Sequence, residues 1–532
     1  MREQVPWGWG EPGAGPSLPA HADAFLREEL GVAGGAAAPV APPRVRPPAL
    51  PDALRDALAR AGEVIVDDET RALRIRGKSY LDLLASRAGD FESAPDAVVR
   101  PAGHAGVLAA LQACADAGAA VVPFGGGTSV VGGLEASRDG FSALVSLDLG
   151  AMDALVDVDR TSLVAVLEPG LRLPEADRAL AAHGLTLAHA PQSYEWATVG
   201  GCVATRSAGQ SSTGHGRIDE NVVAVRLASP EGELSTLGVP STAAGPSLRE
   251  LVVGSEGALG AITQVALCVR PLPEERRYEG WFARSFADGV EALRALEQNG
   301  LAPDVARLSD ETETRVGLGF AGPGGPRGRA AMAATRALGY AGGCVLVLGW
   351  EGDSDAVGVR RRAASRALRR AGLLPAGRGP GESWARGRFW GPYLRDDLLD
   401  RGVLVETLET ATTWSGLERL RDAVSGALGG ALGRALVGCH VSHLYPTGAS
   451  LYFTVFAAQD PADPAGQWRR AKVAASDALV AAGATITHHH AVGRDHAPWL
   501  DAEVGGLGVE LLRSLKQRCD PAGIMNPAVL GL

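Results

Sequence analysis

One set of side chains in this chain is able to move protons or bind anions: Tyr452, His488-His489-His490, Arg395 and Arg307. Tyr452 stands in the run ASLYFTVFA, whose alternation sets Leu451 and Phe453 on the face opposite it. A tyrosine there is either a core residue whose hydroxyl finds a partner or a proton donor and acceptor. Its ordinary pKa of about 10 means that proton transfer needs cationic or hydrogen-bonded surroundings to lower it. If His488–His490 is an extended strand, His488 and His490 share one face and His489 takes the other. No carboxylate stands close by in sequence, so one metal held by all three is disfavoured and no metal site is expected. Arg395 follows the aromatic segment Phe389-Trp390-Gly391-Pro392-Tyr393. It either pairs with Asp396 or Asp397 or offers its guanidinium fork to an oxyanion. Arg307 carries the same two readings. His440 and His443, on either side of Val441-Ser442, read as core or rim residues.

The second set is made of backbone. Pro123–Gly133, PFGGGTSVVGG, follows the apolar run Ala119–Val122. Glycine lets successive N–H groups approach a ligand closely and form a concavity suited to phosphate. Two further blocks combine glycine with hydroxyl residues: Gln192–Gly209, with Arg206, and Gly254–Gly260. Three such loops point to one extended anion rather than to three surface turns. No GxGxxG follows the first strand and no GxxxxGK[ST] occurs, which argues against a Rossmann domain and a P-loop.

The elements around these residues divide the chain. With 532 residues, 46% hydrophobic and 21% charged, it is a globular protein of more than one domain. Its net charge of −10 argues against nucleic acid as partner. Six scattered cysteines without a CxxC pair read as reduced thiols. No apolar run approaches a bilayer span, and neither a signal-peptide core nor a Ser-Lys-Leu ending is present, so a cytoplasmic location is expected. Residues 1–92 read as an N-terminal arm, anchored through Trp7 and Trp9, and a helical lead-in. Residues 93–273 alternate strands and helices around the three glycine blocks. Residues 274–505 carry long Ala/Arg-rich helices and a few strands, with a Gly/Pro/Arg-rich loop at Gly322–Arg329. A helix at Leu507–Arg518 opens the C-terminal segment 506–532.

The blocks PFGGGTSVVGG, PQSYEWATVGGCVATRSAGQ and GSEGALGAIT resemble the FAD-binding domain of the vanillyl-alcohol-oxidase type flavoproteins. The resemblance extends over most of the chain to the alkyldihydroxyacetonephosphate synthases. It is carried by Trp7-Gly8-Trp9-Gly10, ARLSD at 306–310, YLRD at 393–396, TGASLYF at 447–453 and THHHAVG at 487–493. It implies an α+β fold: a two-subdomain FAD-binding domain, an α+β cap (substrate) domain, and a C-terminal segment returning to the flavin. The expected flavin ligands are Pro123, Phe124, Gly125, Gly126, Gly127, Thr128 and Ser129 in the first block. In the second they are Gln192, Ser193, Trp196, Thr198, Gly201, Thr205, Arg206, Ser207 and Ala208; in the third, Glu256, Gly257, Gly260 and Ile262. Relatives that attach FAD covalently use a His or Cys near these loops. Gly125–Gly133 has neither, so non-covalent FAD is expected.

The resemblance also assigns roles: Tyr452 as acid/base, His488, His489 and His490 orienting substrate, Arg395 on the substrate phosphate and Arg307 near the site. The implied reaction replaces the acyl group of acyl-dihydroxyacetone phosphate with a fatty alcohol, through a covalent flavin adduct and without net redox change. That is a step of ether-lipid synthesis. The substrate is then a lipid precursor with an anionic head group; a homodimer and peripheral membrane contact are expectations of the family alone. The ending DPAGIMNP instead resembles flavin-linked 2-hydroxyacid dehydrogenases. Hydride transfer from a hydroxy acid or alcohol is therefore the alternative, with Arg395 holding a carboxylate and a His acting as base; a flavin-binding protein without catalysis is the third reading.

Overall fold

Short, near-continuous apolar runs build the first sheet. Ala97–Pro101, Leu144–Asp148 and Ala120–Phe124 run parallel in that order and are almost wholly buried, as expected for strands covered on both faces. The helix His104–Ala117 packs Val107, Leu111 and Cys114 into this core. The computed structural model describes residues 3–32, 40–135, 137–321, 333 and 335–532, so the Gly322–Arg329 loop lies outside the described residues.

Two extensions of this sheet come from distant segments. The lead-in over 51–92 is not purely helical, because Gly62–Ile65 forms the antiparallel edge strand against Ala97–Pro101. On the other side, Met525 bridges in parallel to Val121. The helix before that bridge begins earlier than expected, spanning Leu500–Cys519 with a break at Gly505. A second sheet of five antiparallel strands follows the order Gly232–Ser235, Val222–Ser229, Ala261–Cys268, Val164–Leu167, Leu155–Asp159.

The cap is one seven-stranded antiparallel sheet. Its order is Leu374–Gly377, Glu275–Ala283, Cys344–Gly352, Val305–Ser309, Ala435–Tyr445, Gly448–Ala458, Val403–Thr413. Helices Phe286–Gln298, Ser354–Arg370, Leu417–Leu432 and Pro464–Ala481 share its main apolar core. Leu308, Leu408, Cys439, Val441, Leu451 and Phe453 belong to that core. Side chains alternate across a strand, so Arg307, Glu409, His440 and Tyr452 occupy the opposite face. This is the α+β architecture expected. The WGWG arm is anchored as expected: Trp9 is buried, its N–H donates to Asp396, and the Trp7 carbonyl accepts from Arg87.

Candidate active site

Tyr452 lies at the centre of the polar face of the cap sheet. Its cross-strand neighbours are Glu409 and His440. Its ring stacks on His440 (centroids 4.9 Å apart) and on His489 (6.0 Å), and meets the edge of His490 (5.6 Å). Burial pushes the hydroxyl up to about 12, outweighing a hydrogen bond to Thr407 and the charge of Arg307. The lowered pKa that the sequence reading required is absent, because desolvation exceeds the effect of the nearby cation. Tyr452 is a neutral hydroxyl at physiological pH.

The histidine triplet is not a strand. Thr487–His490 is a bent segment, so the alternating placement expected for it does not apply. Glu409 fixes its shape. The carboxylate accepts the backbone N–H groups of His488 (2.5 Å), His489 (3.0 Å) and His490 (2.8 Å), and the Thr487 hydroxyl (2.6 Å). Burial opposes ionisation of Glu409, but the surrounding imidazoles and donors outweigh it and hold its pKa well below the usual value. A carboxylate is thus beside the triplet, supplied from another strand rather than from nearby sequence. Burial lowers the pKa of all three imidazoles, His488 to about 3.

His440 and His443 belong to this cluster rather than to its rim. His440 bonds to Glu313 (2.9 Å) and to Arg307 (3.1 Å), and Arg307 pairs with Glu313 (2.7 Å). Arg307 is therefore held in an ion pair and reaches Tyr452 through His440. His443 packs against His488 and His489, and its Nε2 lies 3.0 Å from the Gly209 carbonyl oxygen of the second glycine block. Tyr445 shares a 2.6 Å hydrogen bond with His488 Nε2. His443, His488 and His489 each present a ring nitrogen within 4.8 Å of the others.

Arg395 is differently placed. Its Nη1 donates to the Lys78 carbonyl (2.8 Å), while Nε and Nη2 are buried without a hydrogen-bond partner. Neither Asp396 nor Asp397 takes it as a hydrogen-bonded pair: Asp396 accepts from Trp9, and Asp397 from Leu18 and Arg401. Lys78 beside it is buried, and desolvation lowers its amine to about 7. Its own N–H donates to Ser129 of the first glycine loop (2.6 Å), which ties the cation pair to that loop.

The three glycine blocks meet. A Cβ on Gly126 would lie 2.1 Å from the Trp196 carbonyl oxygen, so only glycine allows the first block to approach the second. Gly257 packs on Pro123, joining the third block to the first. Phe124, Gly125, Gly126, Gly127, Trp196 and Thr198 line one cleft with Arg74, Lys78 and Arg172. Glu3 and Asp148 also line the cleft and pair with Arg74, and the Lys78 amine donates to the Val5 carbonyl, so it is the close-packed glycine backbone that suits a dinucleotide diphosphate.

The other expected flavin ligands have local partners. Ser129 Oγ accepts from Gly133, and Gln192 pairs with Gln210. The Ser193 carbonyl accepts from Trp196 and Ala197. Gly201 donates to Thr198, and the Thr205 hydroxyl donates to the Gly201 carbonyl. Ser207 bonds His189. Pro123 lies within the strand that ends at Phe124, Thr128 follows in the loop, and Ala208 is buried. Gly260 packs against the Ala228 carbonyl oxygen. Ile262 belongs to the apolar core of the second sheet. Arg206 departs from expectation: its guanidinium is engaged by Glu250, Asp219 and the Val253 carbonyl, so its donors are spent within the protein. Glu256 does more than expected. Burial pushes it up to about 7, and it accepts the backbone N–H groups of Val492 and Gly493, both at 2.8 Å.

Residues 95–238 match the family model for the FAD binding domain, and residues 272–530 match that for FAD linked oxidases, C-terminal domain. An alkyldihydroxyacetonephosphate synthase of Dictyostelium discoideum is 30% identical over 476 residues, covering 87% of this chain and 78% of that protein. A solved alkyldihydroxyacetonephosphate synthase structure superposes with a TM-score of 0.83 at 26% identity, covering 98% of both chains. The chain belongs to the alkyldihydroxyacetonephosphate synthase family of FAD-linked oxidases. A p-cresol methylhydroxylase structure, 15% identical with a TM-score of 0.66, shares the fold. In this synthase-family chain FAD is the cofactor that the glycine cleft fits.

Five site residues escaped sequence reasoning: Glu409, Glu313, Lys78, and His440 and His443 as cluster members. Glu409 and Glu313 carry no local signal: Glu409 pairs with Tyr452 across the sheet and meets the triplet from a distant bent segment, and Glu313 reaches His440 from the helix Glu311–Ala321. His440 and His443 stood near TGASLYF, and their pairing with that hairpin strand was the available clue.

Proposed function

We propose that this chain is an FAD-dependent enzyme of the alkylglycerone-phosphate synthase type, which exchanges the acyl group of acyl-dihydroxyacetone phosphate for a fatty alcohol. The observation that carries this reading is Arg395. Two of its guanidinium donors are buried and unpartnered, beside a second buried cation and next to the flavin loop. Such donors are costly unless an anion satisfies them, and a phosphate head group does so bidentately. FAD supplies electrophilic chemistry without net oxidation or reduction. It is held non-covalently by Phe124–Gly127, Trp196 and Thr198.

The remaining steps fall to this chain's own side chains. Arg395 binds the phosphate, with Lys78 supporting it. The C1–O bond to the acyl group breaks and the fatty carboxylate leaves. The alcohol oxygen forms the new C1–O bond and releases its proton. Tyr452 starts protonated, because burial holds its hydroxyl up to about 12; it donates to the departing acyl oxygen, and the tyrosinate so formed is a strong enough base to take the proton of the incoming alcohol. His488–His490 orient the substrate on a backbone fixed by Glu409. An imidazole held down to about 3, as His488 is, is too weak a base to strip a hydroxyl proton before hydride transfer; this weighs against the dehydrogenase reading. Six free thiols support a cytoplasmic setting. Among the described residues no helix is long and apolar enough to cross a membrane.

The test is exchange. Purified holo-protein given acyl-dihydroxyacetone phosphate and labelled fatty alcohol is expected to form labelled ether product while the flavin absorbance stays oxidised. Absence of product, together with anaerobic bleaching by a 2-hydroxy acid, would replace the synthase reading with the dehydrogenase one.

A further inference from the structure

A second cleft lies in the cap, where strands Leu374–Gly377 and Glu275–Ala283 meet the helix Ser354–Arg370. Its lining shares no residue with the cleft at the glycine loop. Six arginines line it (Arg277, Arg361, Arg362, Arg366, Arg369 and Arg378) against one carboxylate, Glu279, in a chain of net charge −10. Glu279 is shared by Arg277 (3.0 Å) and Arg361 (2.5 Å). Arg378 pairs with Glu382 from outside the lining, and Arg369 sits 5.7 Å over the Trp281 ring. Arg362 and Arg366 are exposed at the cleft mouth and, among the described residues, have no carboxylate partner. Two buried polar atoms of the lining residues are also orphans: Trp281 Nε1, in a side chain 2% exposed, and Ser365 Oγ.

Guanidinium groups gathered without counter-charge repel one another, and a buried donor left unpaired costs the desolvation of that group. One oxyanion-rich ligand relieves both. The cleft, about 400 Å³, is in the range that holds a small organic ligand rather than a single ion. Arginine forks suit phosphate. We propose that this cap cleft binds a small phosphate-bearing ligand with at least two negative charges, at a site separate from the active site.

The test is calorimetric titration of the holo-protein with inorganic pyrophosphate. In parallel, sedimentation is measured with vesicles of phosphatidylcholine alone or mixed with phosphatidic acid. Saturable pyrophosphate binding that survives Arg395→Ala, which removes the phosphate anchor of the active site, is expected, and this surviving binding weakens at least about tenfold when Arg362→Ala/Arg366→Ala is added. Both variants should keep their FAD content and circular dichroism. Sedimentation with phosphatidic acid vesicles only, lost in the double variant, would identify the phosphate as a lipid head group. The proposal is overturned if neither probe binds, if adding the double substitution leaves the surviving binding unchanged, or if Arg395→Ala abolishes binding.

Discussion

The flavin half and the cap half of this protein build their sites from different material. The cleft at Phe124–Gly127 is a backbone site: closely approaching glycines, carbonyls and short caps, with Arg206 spent on internal ion pairs. The candidate site in the cap is made of side chains, with the Tyr452 ring packed among His440, His489 and His490, a buried Glu409 and a half-buried Glu313 beside them. A backbone site tolerates side-chain change but not added volume. A side-chain site fails through loss of one proton, charge or ring. The same fold thus carries two kinds of fragility.

The largest expected effects break each half separately. Gly126→Val places side-chain atoms against the Trp196 carbonyl and should yield protein without flavin, read from the visible spectrum of the purified variant. Tyr452→Phe should keep stoichiometric FAD and lose roughly 10²–10⁴ in turnover, the usual contribution of a positioned acid or base. Flavin loss in Tyr452→Phe, or near-normal turnover, would erase the contrast. Next comes Glu409→Gln. It keeps two oxygen- or nitrogen-bearing positions but loses the charge that three N–H groups share, a cost of about 1–3 kcal/mol. Turnover should fall while FAD content and KM stay near those of the parent, and the pH profile of kcat should shift.

A smaller effect is expected from pH. His189, His443, His488 and His496 are held by burial at about 3 to 4, below the ordinary 6.5. The unfolded chain therefore binds protons first as pH falls, so the stability these neutral histidines carry is intact above 6.5 and lost progressively between 6.5 and about 3. Thermal melts should show destabilisation on the order of 1 kcal/mol per histidine for each unit below 6.5, reduced in His488→Gln. Smallest of all, Arg206→Gln should leave flavin affinity unchanged, with a stability loss of about 1 kcal/mol or less from a partly exposed pair.

This contrast also explains what was legible in the chain beforehand. The glycine blocks are local, so the α+β fold and FAD as cofactor could be read directly. Tyr452, Arg395 and His488–His490 were visible through the resemblance, but their surroundings were not. Glu409 meets the triplet across 79 to 81 positions, and Glu313 meets His440 across 127. Tertiary packing alone creates those contacts, of a bent segment on a strand in the first case and of the helix Glu311–Ala321 on a strand in the second. Arg206 misled because a basic residue in a glycine block looks like an anion ligand until Glu250 is seen beside it. The edge strand Gly62–Ile65 was missed because four residues between helices give little periodicity.

The segment Thr487–Gly493 is gripped at one end by Glu409 of the cap and at the other by Glu256 of the third glycine block. Asn526 then donates to the carbonyls of Gly133 and Glu256, and Met525 bridges to Val121. In order of synthesis, the cradle that begins at Pro123 stays open until nearly four hundred further residues have left the ribosome. A product truncated before Met525 therefore has the glycine loops without the contacts of Met525 and Asn526 that tie the first block to the third.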